Sequence, residues 1–321
     1  MPTSLNDSEW DLLVHRINDE KCTPFLGAGA AYGVLPLGAE IAQGWAGEFG
    51  YPLEDDSNLT RVATYLAVQR DSMYPKELLL RTWFVNPKPP NFEDPGEPHA
   101  ALAELPIPIY MTTNYDSFMM QALHAAGKTP HRELCHWNNF TKELPSVFDD
   151  PHGFEPTPKE PVVFHLHGHD EYAESLVLTE DDYLDFLVSV SKEPELLPHH
   201  VRRRLTGTSL LFIGYSLADW NFRTLFRGLI NSMEQTLRRI SVTVQVPPKT
   251  DRDASASSQA NGDFPASSQA DGDVSSSPQT DLQTYLSNYY DKIDIHVYWG
   301  KATDFVQELR GRWEDFKKSN G

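Results

Sequence analysis

The stretch Cys22-Thr23-Pro24-Phe25-Leu26-Gly27-Ala28-Gly29-Ala30 decides the fold. Residues 22–26 read as a short buried strand that runs directly into four small residues, where the backbone can turn tightly and approach a ligand. A glycine turn between a strand and a helix offers backbone N–H groups and a helix N-terminus to a pyrophosphate. In a full dinucleotide fingerprint the third glycine would fall at Tyr32, and Gly33 comes one residue late. The segment taken alone also reads as a tight turn with no ligand.

Working outward, residues 5–18 carry Trp10, Leu13, Val14 and Ile17 at helical spacing, with Asn6 or Ser8 able to cap them. Helices are expected at 37–49, 58–68, 76–84 and 99–105, with a proline-rich loop over 86–98. Apolar, β-branched runs predict further strands at 107–112, 161–166, 209–213, 240–246 and 293–298. Helices follow at 117–126, at 180–190 behind the capping-box sequence Thr179-Glu180-Asp181-Asp182, at 218–233 and at 303–317. Residues 130–161 read as a long aperiodic connection, the kind that serves as a functional cover or a mobile segment. Strands alternating with helices predict an α/β, doubly wound, mostly parallel sheet, Rossmann-like in its layers. One domain is expected over 1–246 and 281–321, including a helical insertion around 50–100. Residues 247–280, made of Ser, Ala, Asp, Gln, Gly and Pro with a ten-residue near-repeat, read as a disordered low-complexity insertion.

Composition narrows the function. The chain has 321 residues, enough to bury a sizeable core, and a formal net charge of -19. So acidic a surface repels phosphodiester backbones, and the short basic run Arg202-Arg203-Arg204 does not offset it, so direct nucleic-acid binding is not expected. Cys22 and Cys135 are the only cysteines, too few for a four-cysteine zinc site or a disulfide framework. Residues 1–10 lack a basic leader with an apolar core, and no window reaches the roughly 18 apolar residues of a membrane span. A cytoplasmic protein without membrane contact is expected.

Chemistry concentrates where strands end, the edge at which open α/β sheets bind ligands. Thr112-Thr113-Asn114-Tyr115-Asp116 gathers hydroxyls, an amide and a carboxylate. An amide both donates and accepts, which suits orienting a ribose hydroxyl or a water, though the same residue types make an Asx turn and helix cap. His165-Leu166-His167-Gly168-His169 alternates imidazoles. No acidic ligand stands at a recognisable metal spacing, so a general base at His167 is preferred to a metal site, with Gly168 leaving room beside it. Gly214-Tyr215-Ser216-Leu217-Ala218-Asp219-Trp220-Asn221 is a second glycine turn at a strand end.

In this order the four segments resemble the sirtuin superfamily, and more closely its SIR2-like branch of bacterial antiphage defence. The resemblance spans about 22–229 and implies a sirtuin-type Rossmann-like fold. It implies that Gly27, Ala28, Gly29 and Ala30 surround the diphosphate of NAD, that Asn114 works on the nicotinamide ribose with Thr113 beside it, and that Asp116 meets the carboxamide. It further implies His167 as the catalytic histidine and Gly214, Tyr215 and Ser216 on the ribose side. The cysteine-built zinc module of protein-deacylating sirtuins cannot be assembled, and Val34-Leu35-Pro36-Leu37 replaces their Asp-Phe-Arg. The activity implied is therefore NAD glycohydrolysis to nicotinamide and ADP-ribose, with NAD as substrate, no metal, and NAD depletion as the means of defence. A homo-oligomer is expected, with activation by a partner protein such as a HerA-type ATPase or an Argonaute-type protein, or by a nucleotide signal. The rival readings are a non-catalytic NAD or ADP-ribose sensor that gates a partner and, less favoured, an NAD-dependent protein deacylase.

Overall fold

The computed structural model describes residues 5–216, 241–246, 278–291 and 295–320. The strands β1 (Cys22–Leu26), β2 (Ile109–Thr112), β3 (His131–Leu134), β4 (Val162–His165), β5 (Ser209–Ile213), β6 (Ser241–Gln245) and β7 (Ile295–Trp299) form one sheet in the order β3-β4-β2-β1-β5-β6-β7. Every neighbouring pair is parallel. The expected doubly wound α/β sheet is present. From β1 the chain lays β2 beside it, then edge strand β3 with β4 inserted between β3 and β2, and returns to lay β5 on the other side of β1. The loops after β1 and β5 therefore diverge at the topological switch point.

A proline in a central strand needs a reason, because it removes a ladder donor. Gly27 N–H donates to the Ile213 carbonyl on β5, while the Leu26 carbonyl accepts from Thr113 N–H on the β2 side. Backbone groups alternate along a strand, so Pro24 faces β2 with Leu26. Pairing with β2 begins only at Phe25↔Met111, and Pro24 interrupts no bond there.

The central strands are largely apolar because both faces are covered. On one face Tyr110, Val163, Leu211 and Ile213 pack with α1 (Asp7–Asn18), α5 (Pro98–Ala103), α6 (Phe118–Ala125) and α11 (Ala302–Asn320). On the other, Phe25, Met111, Phe164, Leu210 and Phe212 pack with α8 (Glu180–Lys192), α9 (His199–Gly207) and Tyr290 of α10 (Pro278–Asp291). Leu210 and Leu211 thus serve opposite layers, as the two-residue strand period requires. In the helical insertion between β1 and β2, α2 (Gly38–Phe49), α3 (Leu59–Gln69) and α4 (Tyr74–Leu79) close around a third cluster of Ile41, Trp45, Val62 and Leu66, which they share with Leu176 and Leu178.

Several sequence expectations need correction. The stretch 130–161 is not one aperiodic loop, since it contains edge strand β3 and the short helix α7 (Asn139–Lys142). Helix α9, ahead of β5, was not anticipated. Helix α4 ends at Leu79 and passes into a wider π-helical turn, Leu80–Phe84. The expected helix at 218–233 lies outside the described residues, as does 247–277 of the low-complexity segment. The last residues of that segment, 278–280, are not loop but the start of α10.

Candidate active site

The two glycine turns at the switch point are built against each other. Gly29 N–H donates to the Gly214 carbonyl at 2.9 Å, and Gly214 has a left-handed φ of 82°. A Cβ on Gly27 would stand 2.8 Å from the Gly214 carbonyl oxygen, and one on Gly214 would stand 2.3 Å from the Ala30 nitrogen. These are distances no side chain tolerates. The space left by the missing side chains is thus filled by the opposite turn. The N–H groups of Gly27, Gly29 and Ala30 are bonded within the fold, to Ile213, Gly214 and Gly27 carbonyls. This corrects the expectation of a turn that holds those N–H groups free for a pyrophosphate. Ala28 and Ser216 are exposed, Gly29 is half-buried and Ala30 is buried.

The end of β2 is tied to the same place. Thr112 Oγ1 donates to the Leu26 carbonyl and accepts from Asn114 N–H at 2.9 Å. The Asn114 side chain donates through Nδ2 to the Gly27 carbonyl at 3.1 Å. Tyr215 donates its only hydroxyl hydrogen to the Leu26 carbonyl, so the 2.9 Å contact between Thr113 Oγ1 and the Tyr215 hydroxyl has Thr113 as its donor. Asp116 is buried and accepts from Phe118 N–H at 2.9 Å, capping the first turn of α6. Burial raises its pKa.

The imidazoles follow on the adjacent strand. Register pairs Thr112 with His165, so Asn114 and His167 each stand two residues beyond a matched pair on neighbouring parallel strands. His165 Nδ1 donates to the Asn114 carbonyl at 3.1 Å, and burial pushes its pKa down to about 4. His167 is only 4% exposed, packed edge-on against Tyr183 and Phe186. Its Nε2 is buried without a hydrogen-bond partner, and burial takes its pKa down to about 3. Burial thus keeps this imidazole neutral. Gly168, at φ 91°, would place a Cβ 2.3 Å from the Ser175 carbonyl, so this glycine too serves the fold's own packing.

Sequence reasoning passed over Ser117 and the partners of His169. Ser117 Oγ lies 2.8 Å from His169 Nε2, and Asp170 Oδ1 lies 3.0 Å from His169 Nδ1, the outline of a nucleophilic triad. Glu171 N–H also donates to Nδ1, and the Arg132 guanidinium lies 3.3 Å from Nδ1 and 3.4 Å from Nε2, so the imidazole is shared among several partners and the carboxylate is not its sole orienting group. Arg132 also grips Glu171 through two bonds of 2.6 Å, which fastens the loop after β4 to edge strand β3.

The insertion braces both loops. The Tyr115 hydroxyl donates to the Val177 carbonyl at 2.7 Å, and its ring meets Phe84 edge-on. Val177 N–H in turn donates to the His167 carbonyl. A separate cavity of about 510 Å³ opens beyond β3, lined among others by Glu133, His136, Lys142, Asp149 and His200. None of the residues singled out from sequence lines it. Cys22 and Cys135 are both buried and unbonded to each other, and among the described residues no group of three or more potential ligands is placed to hold a metal ion.

Three comparisons with known proteins find similar chains. Residues 108–263 match the family described as SIR2-like domain, a range that includes Asn114, His167 and Gly214 and begins after the first glycine turn. The chain is 25% identical over 205 residues to the NAD(+) hydrolase ThsA of Cytobacillus dafuensis, covering 63% of this chain and 37% of that protein. It is 24% identical over 226 residues to the NAD(+) hydrolase ThsA of Bacillus cereus (strain MSX-D12), covering 70% and 43%. The chain thus spans less than half the length of these relatives. A solved structure reported under "Structural Basis for the Mechanism and Regulation of Sir2 Enzymes" aligns over 97% of this chain and 100% of its own, at 12% identity and a TM-score of 0.41, too loose a likeness to carry an argument. Over residues 108–263, somewhat less than half of its length, the chain is thus similar to the family described as SIR2-like domain.

Proposed function

We propose that the chain is an NAD glycohydrolase that cleaves NAD to nicotinamide and ADP-ribose and acts in antiphage defence by depleting the dinucleotide. One observation carries the reading. Asn114 and His167 lie at matched positions beyond adjacent strands, beside two interlocked glycine turns at the switch point of the sheet. The names of the relatives support the substrate, and the missing means for a cysteine-held zinc module argues against peptide deacylation.

In the proposed reaction the bond between ribose C1′ and the nicotinamide nitrogen breaks, and its electron pair leaves with neutral nicotinamide. The ribose gains oxocarbenium character, and a water oxygen forms the new bond to C1′. Asn114 orients the water or a ribose hydroxyl through Oδ1, its Nδ2 being held by Gly27. His167 accepts the proton at Nε2; the burial that keeps the ring neutral also weakens it as a base, so it gains basicity only as the groups covering it part. Since His167 is 4% exposed, the groups covering it must part before substrate reaches the ring, and closure then excludes bulk water from the cleavage.

That same burial favours a second reading, a sensor that binds NAD or ADP-ribose without turnover. Incubating the purified protein with NAD and following nicotinamide by chromatography separates the two. Stoichiometric release of nicotinamide and ADP-ribose supports the hydrolase, and tight nucleotide binding without product supports the sensor.

A further inference from the structure

Tyr183 stands in the first turn of α8 with its hydroxyl 3.5 Å from His167 Nδ1 and its ring 5.0 Å from the imidazole, edge-on. Phe186, one turn further along the helix, holds the same imidazole from a second side at 5.2 Å. The start of α8 is itself fixed. Thr179 and Asp182 form a reciprocal capping box, Asp182 also accepts from Leu178 N–H, and the buried Lys76 ammonium meets Asp182 at 2.7 Å. Tyr183 is therefore delivered to His167 by a helix terminus that has little freedom to shift.

A neutral imidazole has one N–H and one lone pair, and the hydroxyl at Nδ1 decides which nitrogen has which. If Tyr183 donates to Nδ1, the hydrogen of His167 lies on Nε2, where it is a buried donor without a partner. If Nδ1–H donates to the Tyr183 oxygen, Nε2 carries only a lone pair. An orphaned buried N–H is the rarer and costlier of the two. The second arrangement is also the only one in which Nε2 can take a proton.

We infer that Tyr183 is a positioning residue: its hydroxyl oxygen accepts the Nδ1 hydrogen of His167, sets the tautomer with a free Nε2 lone pair, and keeps that bond as the imidazolium forms. The role deepens the hydrolase reading and rests on it, since a tautomer matters to turnover only where His167 accepts a proton. Such a contact is long in the unliganded state and shortens as charge develops on the ring.

The test is long-range proton–nitrogen NMR of the ¹⁵N-labelled full chain, with the His167 signals assigned by their loss in His167→Gln. The wild type is expected to show a protonated Nδ1 and an unprotonated Nε2. In Tyr183→Phe, which keeps the ring and removes only the hydroxyl, the hydrogen is expected to move wholly or partly to Nε2. In the same variant kcat for nicotinamide release is expected to fall about 10- to 100-fold with KM for NAD little changed, the size expected for a lost bond to a charged group. A wild-type His167 protonated on Nε2 overturns the proposal, as does a Tyr183→Phe enzyme with unaltered tautomer. Failure of the hydrolase reading is distinguishable, because NAD would then remain intact with wild-type protein while the tautomer is read from nitrogen shifts alone.

Discussion

The amide of Asn114 is bound to the carbonyl of Gly27, a 3.1 Å contact that joins the end of β2 to the turn after β1. The bond fixes which way the amide faces, with Nδ2 toward the turn and Oδ1 directed away from it. Replacing the amide by a carboxylate would set two acceptors against each other at that distance. Asn114→Asp is therefore expected to lose about 1–3 kcal/mol of stability in denaturant melts as well as NAD turnover. Asn114→Ala removes the orienting oxygen without the repulsion and should lose turnover at a smaller cost in stability. Equal stability of the two variants would show that the amide's orientation is not set by Gly27.

His167 is the second half of that pairing. His167→Gln retains a polar, similarly shaped side chain but has no basic nitrogen. Nicotinamide release is expected to fall by about 10²- to 10⁴-fold, the usual range for a lost general base, with the folded state retained by circular dichroism. Turnover within a few fold of wild type would remove His167 from the reaction.

The glycines make a separable prediction. Gly214→Ala puts a methyl 2.3 Å from the Ala30 nitrogen at a left-handed backbone position, so both sterics and conformation oppose it. A loss of more than about 3 kcal/mol, or failure to fold, is expected. Gly33→Ala shares a positive φ of 91° but meets nothing within 4 Å, so only the conformational cost of about 1–2 kcal/mol remains. Comparable losses at the two sites would mean that packing between the turns is not what selects glycine at 214.

These contrasts mark how far the sequence could be read. Strands β1 and β5 were legible to the residue because four or five consecutive apolar or β-branched positions, buried on both faces, leave a plain signal. Edge strand β3 was not, since His131-Arg132-Glu133-Leu134 is polar and only its last two residues are buried. Helix α9 was hidden for a similar reason, as Val201 and Leu205 are its buried residues in a run of His and Arg. Asn114 and His167 could be nominated from residue type and order. The partners that define their chemistry could not, because Gly214 against Gly27 and Tyr183 against His167 are contacts made only after the sheet and α8 assemble. Glycine's usefulness was legible, but the group that fills its space was not.

Buried histidines also leave a mark on acid stability. Burial lowers His165 from an ordinary value near 6.5 to about 4, so the unfolded chain binds a proton there that the native state refuses. Stability from this residue is present above the unfolded pKa and is lost as pH falls from about 6.5 toward 4. Other groups act in the opposite sense, since burial raises Glu133 to about 7 and Asp170 to about 6, and the native state holds protons on them that the unfolded chain releases. The net slope of the wild type therefore mixes signs, and a difference between variants is the cleaner measurement. His165→Gln keeps a donor for the Asn114 carbonyl and cannot be protonated. Between pH 7 and pH 5 it is expected to lose about 2 kcal/mol less stability than wild type in denaturant titrations. Parallel pH dependence of the two proteins would mean that His165 charges without cost in the folded state.

The insertion and the candidate site are joined through one buried ion pair, which can be tested as a pair. Lys76 and Asp182 have side chains only 7% and 14% exposed, with Nζ and Oδ1 2.7 Å apart. Asp182 has a further task, accepting from Leu178 and Thr179 N–H at the start of the helix that carries Tyr183. Lys76→Met would leave that carboxylate buried without its cation, at an expected cost of about 3–5 kcal/mol. Asp182→Asn leaves the still more buried Lys76 ammonium without its anion, so a cost of similar size is expected even though the amide oxygen can still cap the helix. Once Lys76 is gone, changing Asp182 to Asn removes an uncompensated charge. The double variant should then be more stable than the sum of the single losses predicts, by about 1–3 kcal/mol in a double-mutant cycle. Additive losses would show that the two groups do not communicate.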